Sequence, residues 1–179
     1  SSIVSFCTLS PVPGFAAWLL GEPVFAELPN VRRNVAGEFE SAREHLRALT
    51  ACGADVRPVR RAAELAGLNG IVLPGGESTT IDKLSRIFGL REPLIAALHA
   101  GLPAYGSCAG MILLAKKVLD GTEDQQTFSA LDITVRRNAF GRQVESFEAD
   151  VDLDGIVGGP VHAVFIRAPW VESIDDGVE

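Results

Sequence analysis

The stretch Gly106-Ser107-Cys108-Ala109-Gly110 decides the fold predicted for this chain. Residues 102–105 before it are apolar and predict a strand, and residues 111–119 after it have the spacing of a helix. A strand, a Gly-x-nucleophile-x-Gly turn and a helix together form a nucleophile elbow, here with Cys in the position where hydrolases carry Ser. Glycine is required two residues before and after the nucleophile, because so tight a turn leaves no room for a Cβ atom.

A nucleophile elbow would give Cys108 two chemical advantages. Its sulfur would lie at a helix N-terminus, where unpaired N–H groups and the helix dipole favour the thiolate over the thiol. The backbone N–H of Ala109 would then supply half of an oxyanion hole. A buried structural cysteine beside packing glycines has the same local pattern, however. The pentapeptide alone therefore leaves both interpretations open.

The composition excludes several classes of protein. With 179 residues, 47% of them hydrophobic, the chain is long enough for one domain with a buried core. A net charge of −7 argues against nucleic acid or an anionic membrane as the main partner. Cys7, Cys52 and Cys108 form no CxxC pair, which argues against a disulfide framework or a metal site and favours the cytoplasm. No apolar run is long enough to span a membrane, and the N-terminus lacks the basic start of a secretory signal.

Strands and helices alternate along most of the chain. Helices are predicted at 40–51, 62–66, 81–88, 92–100 and 111–119, and strands at 55–59, 70–74, 102–105, 130–135, 144–151 and 161–166. This alternation predicts an α/β fold with three layers, in which a mostly parallel sheet carries helices on both faces.

The first 35 residues are harder to interpret. Residues 3–9 are compatible with a strand, whereas residues 10–29 contain four prolines and predict an irregular connection. We therefore leave residues 1–35 unassigned and predict one domain over residues 36–179.

Two loops are expected at one edge of the sheet. Gly75-Gly76-Glu77-Ser78 follows the strand at 70–74, and the elbow follows the strand at 102–105. In an open parallel sheet, ligands bind beyond the carboxyl ends of the strands. The N–H of Gly76 could complete the oxyanion hole begun by Ala109. A plain turn would also explain the two glycines, but the neighbouring elbow favours a functional loop.

Two arginines are candidates for binding a carboxylate. Arg137 and Arg167 each flank an apolar strand, and a guanidinium group can hold a carboxylate with two parallel hydrogen bonds. Any single arginine is more often a surface charge, which is our interpretation of Arg136 and Arg142.

A cysteine nucleophile also needs a base, which is normally a histidine. The chain has His45, His99 and His162. The first two are predicted at ordinary helix positions, and His162 is predicted on a solvated edge strand. None has a spacing that identifies it as the base.

Four motifs together resemble one family. They are Pro-Gly-Gly-Glu-Ser-Thr-Thr at 74–80, Gly-Ser-Cys-Ala-Gly-Met-Ile-Leu-Leu-Ala at 106–115, Thr-Val-Arg-Arg-Asn-Ala-Phe-Gly-Arg-Gln at 134–143 and Phe-Ile-Arg-Ala-Pro at 165–169. From about residue 43 to residue 179 the chain resembles the PdxT/SNO family, the glutaminase subunits of pyridoxal 5′-phosphate synthase. These are class I glutamine amidotransferases, which use a catalytic triad.

The resemblance implies a reaction, a set of site residues and a partner. Cys108 would attack the side-chain amide of L-glutamine, release ammonia and carry a glutamyl thioester. The ammonia would pass to a synthase subunit in a hetero-oligomer for vitamin B6 synthesis, with no metal or organic cofactor required. The implied glutamine-binding residues are Gly76, Glu77, Ser78, Arg137, Ile166 and Arg167.

The chain differs from the family pattern in two places. Residues 36–40 stand where the family has an Ala-Leu-Gln-Gly type loop. The family's catalytic His and Glu lie in a His-Pro-Glu segment close to the C-terminus, and the sequence ends at Glu179 before such a segment, as in a C-terminally truncated domain. A chain without a positioned His is expected to hydrolyse glutamine about 10²–10⁴-fold more slowly.

Two alternatives follow from these differences. The chain could be a non-catalytic subunit that binds the synthase. It could also be the glutaminase of another ammonia-transfer complex, such as imidazole glycerol phosphate synthase, although the motif at 134–143 disfavours this.

Overall fold

The structure is a computed structural model that describes residues 4–6, 24–27, 39–137, 147–152, 159–165, 169–175 and 178. Its elements are, in chain order, β1 (Val4–Phe6), β2 (Val24–Glu27), α1 (Phe39–Ala51), β3 (Asp55–Pro58), a 3₁₀ helix (Ala62–Leu65), β4 (Gly70–Leu73), α2 (Ser78–Ile87), α3 (Arg91–His99), β5 (Ala104–Ser107), α4 (Ala109–Leu114), β6 (Ala115–Leu119), β7 (Leu131–Arg136), β8 (Phe147–Val151), β9 (Val161–Phe165) and β10 (Trp170–Ile174).

The main sheet is parallel throughout its described strands. Its strand order is β1-β5-β4-β2-β3. In the centre, Leu73 at the end of β4 is paired with Gly106 near the end of β5. The loops that follow these two strands therefore leave the sheet side by side. This arrangement confirms the predicted α/β class with a mostly parallel sheet.

The hydrophobic core lies between the centre of the sheet and helices α2, α3 and α4. All four residues of β4 are buried, as expected for a central parallel strand. Every residue of α4 is buried as well. Leu73, Leu94, Leu113 and Phe128 are at most 1% exposed and belong to one cluster. The elbow is thus built on the buried core of the described residues.

Two strands of the main sheet come from the first 35 residues. β1 pairs with β5, which agrees with the strand considered for residues 3–9. β2 lies between β3 and β4, so the predicted irregular connection is wrong at Val24–Glu27. Hydrogen bonding to a strand on each side stabilises this short strand, whereas the nearby prolines dominate the local sequence pattern. The rest of residues 10–29 lies outside the described residues, and the domain boundary at residue 36 stays a prediction.

The helix predicted at 111–119 is wrong in its second half. Helix α4 ends at Leu114, and Ala115 already has extended backbone angles, φ −58° and ψ 148°. The chain continues directly as β6, which pairs in parallel with β7. The hydrogen bonds of this pairing, together with packing of Ala115 and Val118 on Ile133 and Val135, outweigh the helical pattern.

β6, β7 and β10 form a second sheet in the order β10-β7-β6. Strand β10 was not predicted, and its largest apolar residues, Trp170 and Ile174, are more than half exposed.

β8 and β9 form an antiparallel ribbon that agrees with two predicted strands, although residues 144–146 and 166 lie outside the described residues. The other predicted helices and strands are present with shifted ends; α2, for example, begins at Ser78 rather than at residue 81. No helix in the described part of the chain is long and apolar enough to cross a membrane.

Candidate active site

The turn at Cys108 has the geometry of a nucleophile elbow. Cys108 follows β5, precedes α4 and has φ 50° and ψ −102°, a backbone conformation that is strained for any residue except glycine. A Cβ atom on Gly106 would lie 2.6 Å from the carbonyl carbon of Gly110. A Cβ atom on Gly110 would lie 2.1 Å from the backbone oxygen of Leu73. Both glycines are therefore required by close backbone packing, which is the reason proposed from the sequence.

The Gly75-Gly76 loop lies beside the elbow. A Cβ atom built on Gly75 would be 3.7 Å from the Cβ of Cys108, so the two backbones are in near contact. Gly76 has a φ of 131°, a conformation that favours glycine over other residues. Ala109 is fully buried and is the first residue of α4. The predicted oxyanion donors thus belong to two adjacent loops at one end of the sheet.

Glu77 caps the N-terminus of α2. Its carboxylate accepts hydrogen bonds from the backbone N–H of Thr79, at 3.3 Å, and of Thr80, at 2.8 Å, and from both threonine hydroxyls. Burial by itself would raise the pKa of Glu77, but these hydrogen bonds outweigh it and lower the pKa to about 2. Glu77 is therefore a fixed negative charge at neutral pH.

Arg137 extends from the end of β7 to the same place. Its Nη2 lies 2.5 Å from Glu77 Oε1, and its Nη1 donates to Gln125 Oε1 at 3.0 Å. The backbone N–H of Arg137 donates to the Leu119 carbonyl at 3.1 Å, which extends the pairing of β6 with β7. The guanidinium side chain is only 18% exposed. The structure therefore brings Glu77 and Arg137 together, as expected if both contact one ligand.

Ser78 joins the same group of side chains. It is 1% exposed, and its hydroxyl accepts a hydrogen bond from Gln125 Nε2 at 2.8 Å. Gln125 was missed in the sequence, because it lies in a polar loop with no recognisable motif. Ile166 and Arg167, the remaining predicted binding residues, lie outside the described residues, as does Arg142.

The three histidines have structural contacts in the described residues. His162 lies on β9 as an exposed residue, with Nδ1 2.9 Å from Asp150 and Nε2 3.1 Å from Glu148. Hydrogen bonds to Asp150 and then Glu148 raise the pKa of His162.

The other two histidines lie on helices, as predicted. Nε2 of His99 lies 3.1 Å from the Ser129 carbonyl oxygen, and the His45 ring packs edge-on against Tyr105. Among the described residues there is no group of three or more His, Cys, Asp or Glu side chains that could hold a metal ion.

A family model matches most of the chain. The model of the SNO glutamine amidotransferase family matches residues 35–179. The chain belongs to the SNO glutamine amidotransferase family. The elbow at Cys108 and the Glu77–Arg137 pair both lie within the matched region. The resemblance inferred from the four motifs is thereby confirmed.

Individual members of the SNO family are similar over most of the chain. The pyridoxal 5′-phosphate synthase subunit PdxT of Acidothermus cellulolyticus is 66% identical over 137 residues, which are 76% of this chain and 66% of that protein. The subunit of the same name from Frankia alni is 65% identical over 137 residues, 76% of this chain and 69% of that protein. The match thus spans about two thirds of these relatives' length. A crystal structure of a glutamine amidotransferase superposes with a TM-score of 0.72 at 41% identity, covering 87% of this chain and 77% of that one.

Proposed function

We propose that this protein is a glutaminase that hydrolyses L-glutamine to glutamate and ammonia, with Cys108 as the nucleophile. The observation that carries the proposal is the elbow itself: a cysteine at φ 50°, fixed by two glycines beside the Gly75-Gly76 loop. Such strain persists where the surroundings impose it, and it is concentrated at active sites. A buried structural cysteine would require neither the strained backbone nor the adjacent glycine loop.

The reaction has two halves. In the first, the Cys108 thiolate attacks the side-chain amide carbon of glutamine, and the carbonyl electron pair moves onto oxygen, where the N–H groups of Gly76 and Ala109 stabilise it. The C–N bond then breaks, and the nitrogen takes up a proton and leaves as ammonia. In the second, water attacks the resulting thioester to give glutamate and the free thiol. The two proton transfers need a base, and we assign this role to none of the described histidines.

The charged pair beside the elbow fits the other end of glutamine. Glu77 supplies a negative charge suited to the α-ammonium group, and Arg137 supplies donors suited to the α-carboxylate. Ser78, together with Ile166 and Arg167, is assigned to the same substrate through the family motifs. An amino acid held at both charged groups would have its side chain free to extend towards Cys108.

We further propose that the ammonia passes to a synthase subunit, with which this protein forms a hetero-oligomer in the cytoplasm. The relatives from Acidothermus cellulolyticus and Frankia alni are named as subunits of pyridoxal 5′-phosphate synthase, which supports this assignment.

The test is an ammonia-release assay on the full-length gene product in complex with its synthase subunit. Cys108→Ser should reduce kcat by at least about a thousandfold, because the oxygen nucleophile lacks a comparable ionised form at neutral pH. Cys52→Ser is the matched control, since Cys52 lies in the turn after α1, and it should retain the parent rate. A Cys108→Ser protein as active as the parent would overturn the proposal.

A further inference from the structure

A polar side chain outside the family motifs bridges two of the proposed glutamine-binding residues. Gln125 Oε1 accepts from Arg137 Nη1 at 3.0 Å, and Gln125 Nε2 donates to Ser78 Oγ at 2.8 Å. The orientation of the amide follows from chemistry, because a guanidinium group can only donate and must face the amide oxygen. With the Arg137–Glu77 pair, these bonds form a chain of four side chains from Ser78 to Glu77.

The loop that carries Gln125 is anchored directly after this residue. The N–H of Gln126 donates to the buried Asp82 carboxylate at 3.2 Å, and Arg91 donates to the Thr127 carbonyl at 2.7 Å. Arg91 also pairs with Asp82 at 2.9 Å, so one buried ion pair fixes the loop against α2 and α3. The Gln125 amide is therefore held in place before any ligand arrives.

A neutral amide at this position suits the charges of the site. Glu77 and Arg137 already neutralise each other, and the pKa of Glu77 is held near 2. A carboxylate at position 125 would add a second negative charge beside Arg137 and would repel the carboxylate of an amino-acid substrate. It would also lose the donor to Ser78, which is almost fully buried. Gln125 contacts Arg137 without adding a charge to the site.

We infer that Gln125 is a positioning residue that holds the Arg137 guanidinium in the orientation that binds the glutamine α-carboxylate. The inference rests on the proposed function. Gln125 contacts Arg137 and Ser78 rather than the reacting amide of the substrate. Its loss should therefore weaken substrate binding and leave the chemical step at Cys108 unchanged.

The experiment compares Gln125→Ala with Gln126→Ala in the full-length protein bound to its synthase subunit. Gln126 is a matched control because it is exposed and bonds to Asp82 through its backbone N–H, which the substitution retains. Gln125→Ala should raise the KM for glutamine about tenfold with kcat within about twofold of the parent, as expected for loss of a uniform binding interaction. Gln126→Ala should leave both constants unchanged. Gln125→Glu should raise KM at least as much as Gln125→Ala.

Calorimetric binding of L-glutamine to Cys108→Ala protein, with and without Gln125→Ala, gives a readout that does not depend on turnover. A tenfold weaker affinity in the double variant supports the inference. An unchanged KM and affinity in Gln125→Ala, or a fall in kcat alone, would overturn it. If the parent complex released no ammonia from glutamine, the proposed function would fail as well. If the parent complex were active and Gln125→Ala had the same KM, kcat and affinity as the parent, only the role of Gln125 would be removed.

Discussion

Arg137 Nη2 lies 2.5 Å from Glu77 Oε1, although the two residues are 60 positions apart in the chain. Glu77 caps α2 directly after the loop that lies beside Cys108, and Arg137 directly follows β7 of the second sheet. Their contact therefore joins the two sheets at the candidate active site. It also places a fixed negative and a fixed positive charge where an amino-acid substrate needs both.

Arg137→Lys should weaken the binding of L-glutamine by about 1–3 kcal/mol, because lysine retains the charge but loses the planar group that donates to Glu77 and Gln125 together. Isothermal titration calorimetry measures this change. Arg136→Lys is the control, since Arg136 is exposed and pairs with Asp120 and Glu172 on the surface. Equal affinities for the Arg137→Lys protein and the parent would remove Arg137 from the substrate site.

Glu77 should make stability depend on pH in the acid range. Its pKa is about 2 in the folded protein and near the ordinary glutamate value of 4.5 in the unfolded chain, so the unfolded chain binds more protons between these two pH values. The contribution of Glu77 is present above about pH 4.5 and is lost as the pH falls towards 2. Chemical denaturation of the parent and Glu77→Gln proteins from pH 2 to pH 6 should show a shallower slope in the variant. If the unfolding free energies of the two proteins changed equally with pH, Glu77 would not have the lowered pKa described above.

Asp82→Ala should lower the free energy of unfolding by about 3–5 kcal/mol, because it leaves the Arg91 charge buried without its partner. Asp124→Ala removes an exposed ion pair with Lys83 and should cost only about 0–1 kcal/mol. Urea denaturation of the two variants gives the comparison. Similar losses in both would mean that Asp82 does not anchor the loop before β7.

Gly110→Ala should destabilise the protein by roughly 3 kcal/mol or more, because its Cβ would lie 2.1 Å from the Leu73 backbone oxygen, which cannot move without disturbing β4. At Gly75 an added Cβ meets only ordinary contacts, 3.7 Å from Cys108, so Gly75→Ala should keep nearly the parent stability. Thermal unfolding distinguishes the two. A Gly110→Ala protein as stable as the parent would show that the backbones of Gly110 and Leu73 are not in such close contact.

The elbow was predictable from the sequence because its residues follow one another in a recognisable pattern. Gly106 and Gly110 are fixed by atoms of the turn and of the neighbouring strand, and any sequence that forms this turn must carry them. The apolar run of β4 likewise predicts a central parallel strand by itself. Where a run of adjacent residues carries the signal, the local pattern is sufficient.

The features that were missed depend on distant partners. Strand β2 exists because β3 and β4 pair with it from both sides, and β6 replaces the end of a predicted helix because β7 pairs with it. Gln125 acquires its role only when Ser78 and Arg137 are brought to it by the fold. None of these partners is adjacent in sequence, so no local pattern contains them.

The most direct test of the account is to treat the native protein with a diazoketone analogue of glutamine and map the adduct by mass spectrometry. Such an electrophile occupies the glutamine site and alkylates the thiolate that would attack the substrate amide. We expect one adduct, on Cys108, which excess L-glutamine suppresses. Modification of Cys52 or Cys7 in preference to Cys108, or labelling that glutamine does not affect, would contradict the central claim that Cys108 is the nucleophile of a glutaminase.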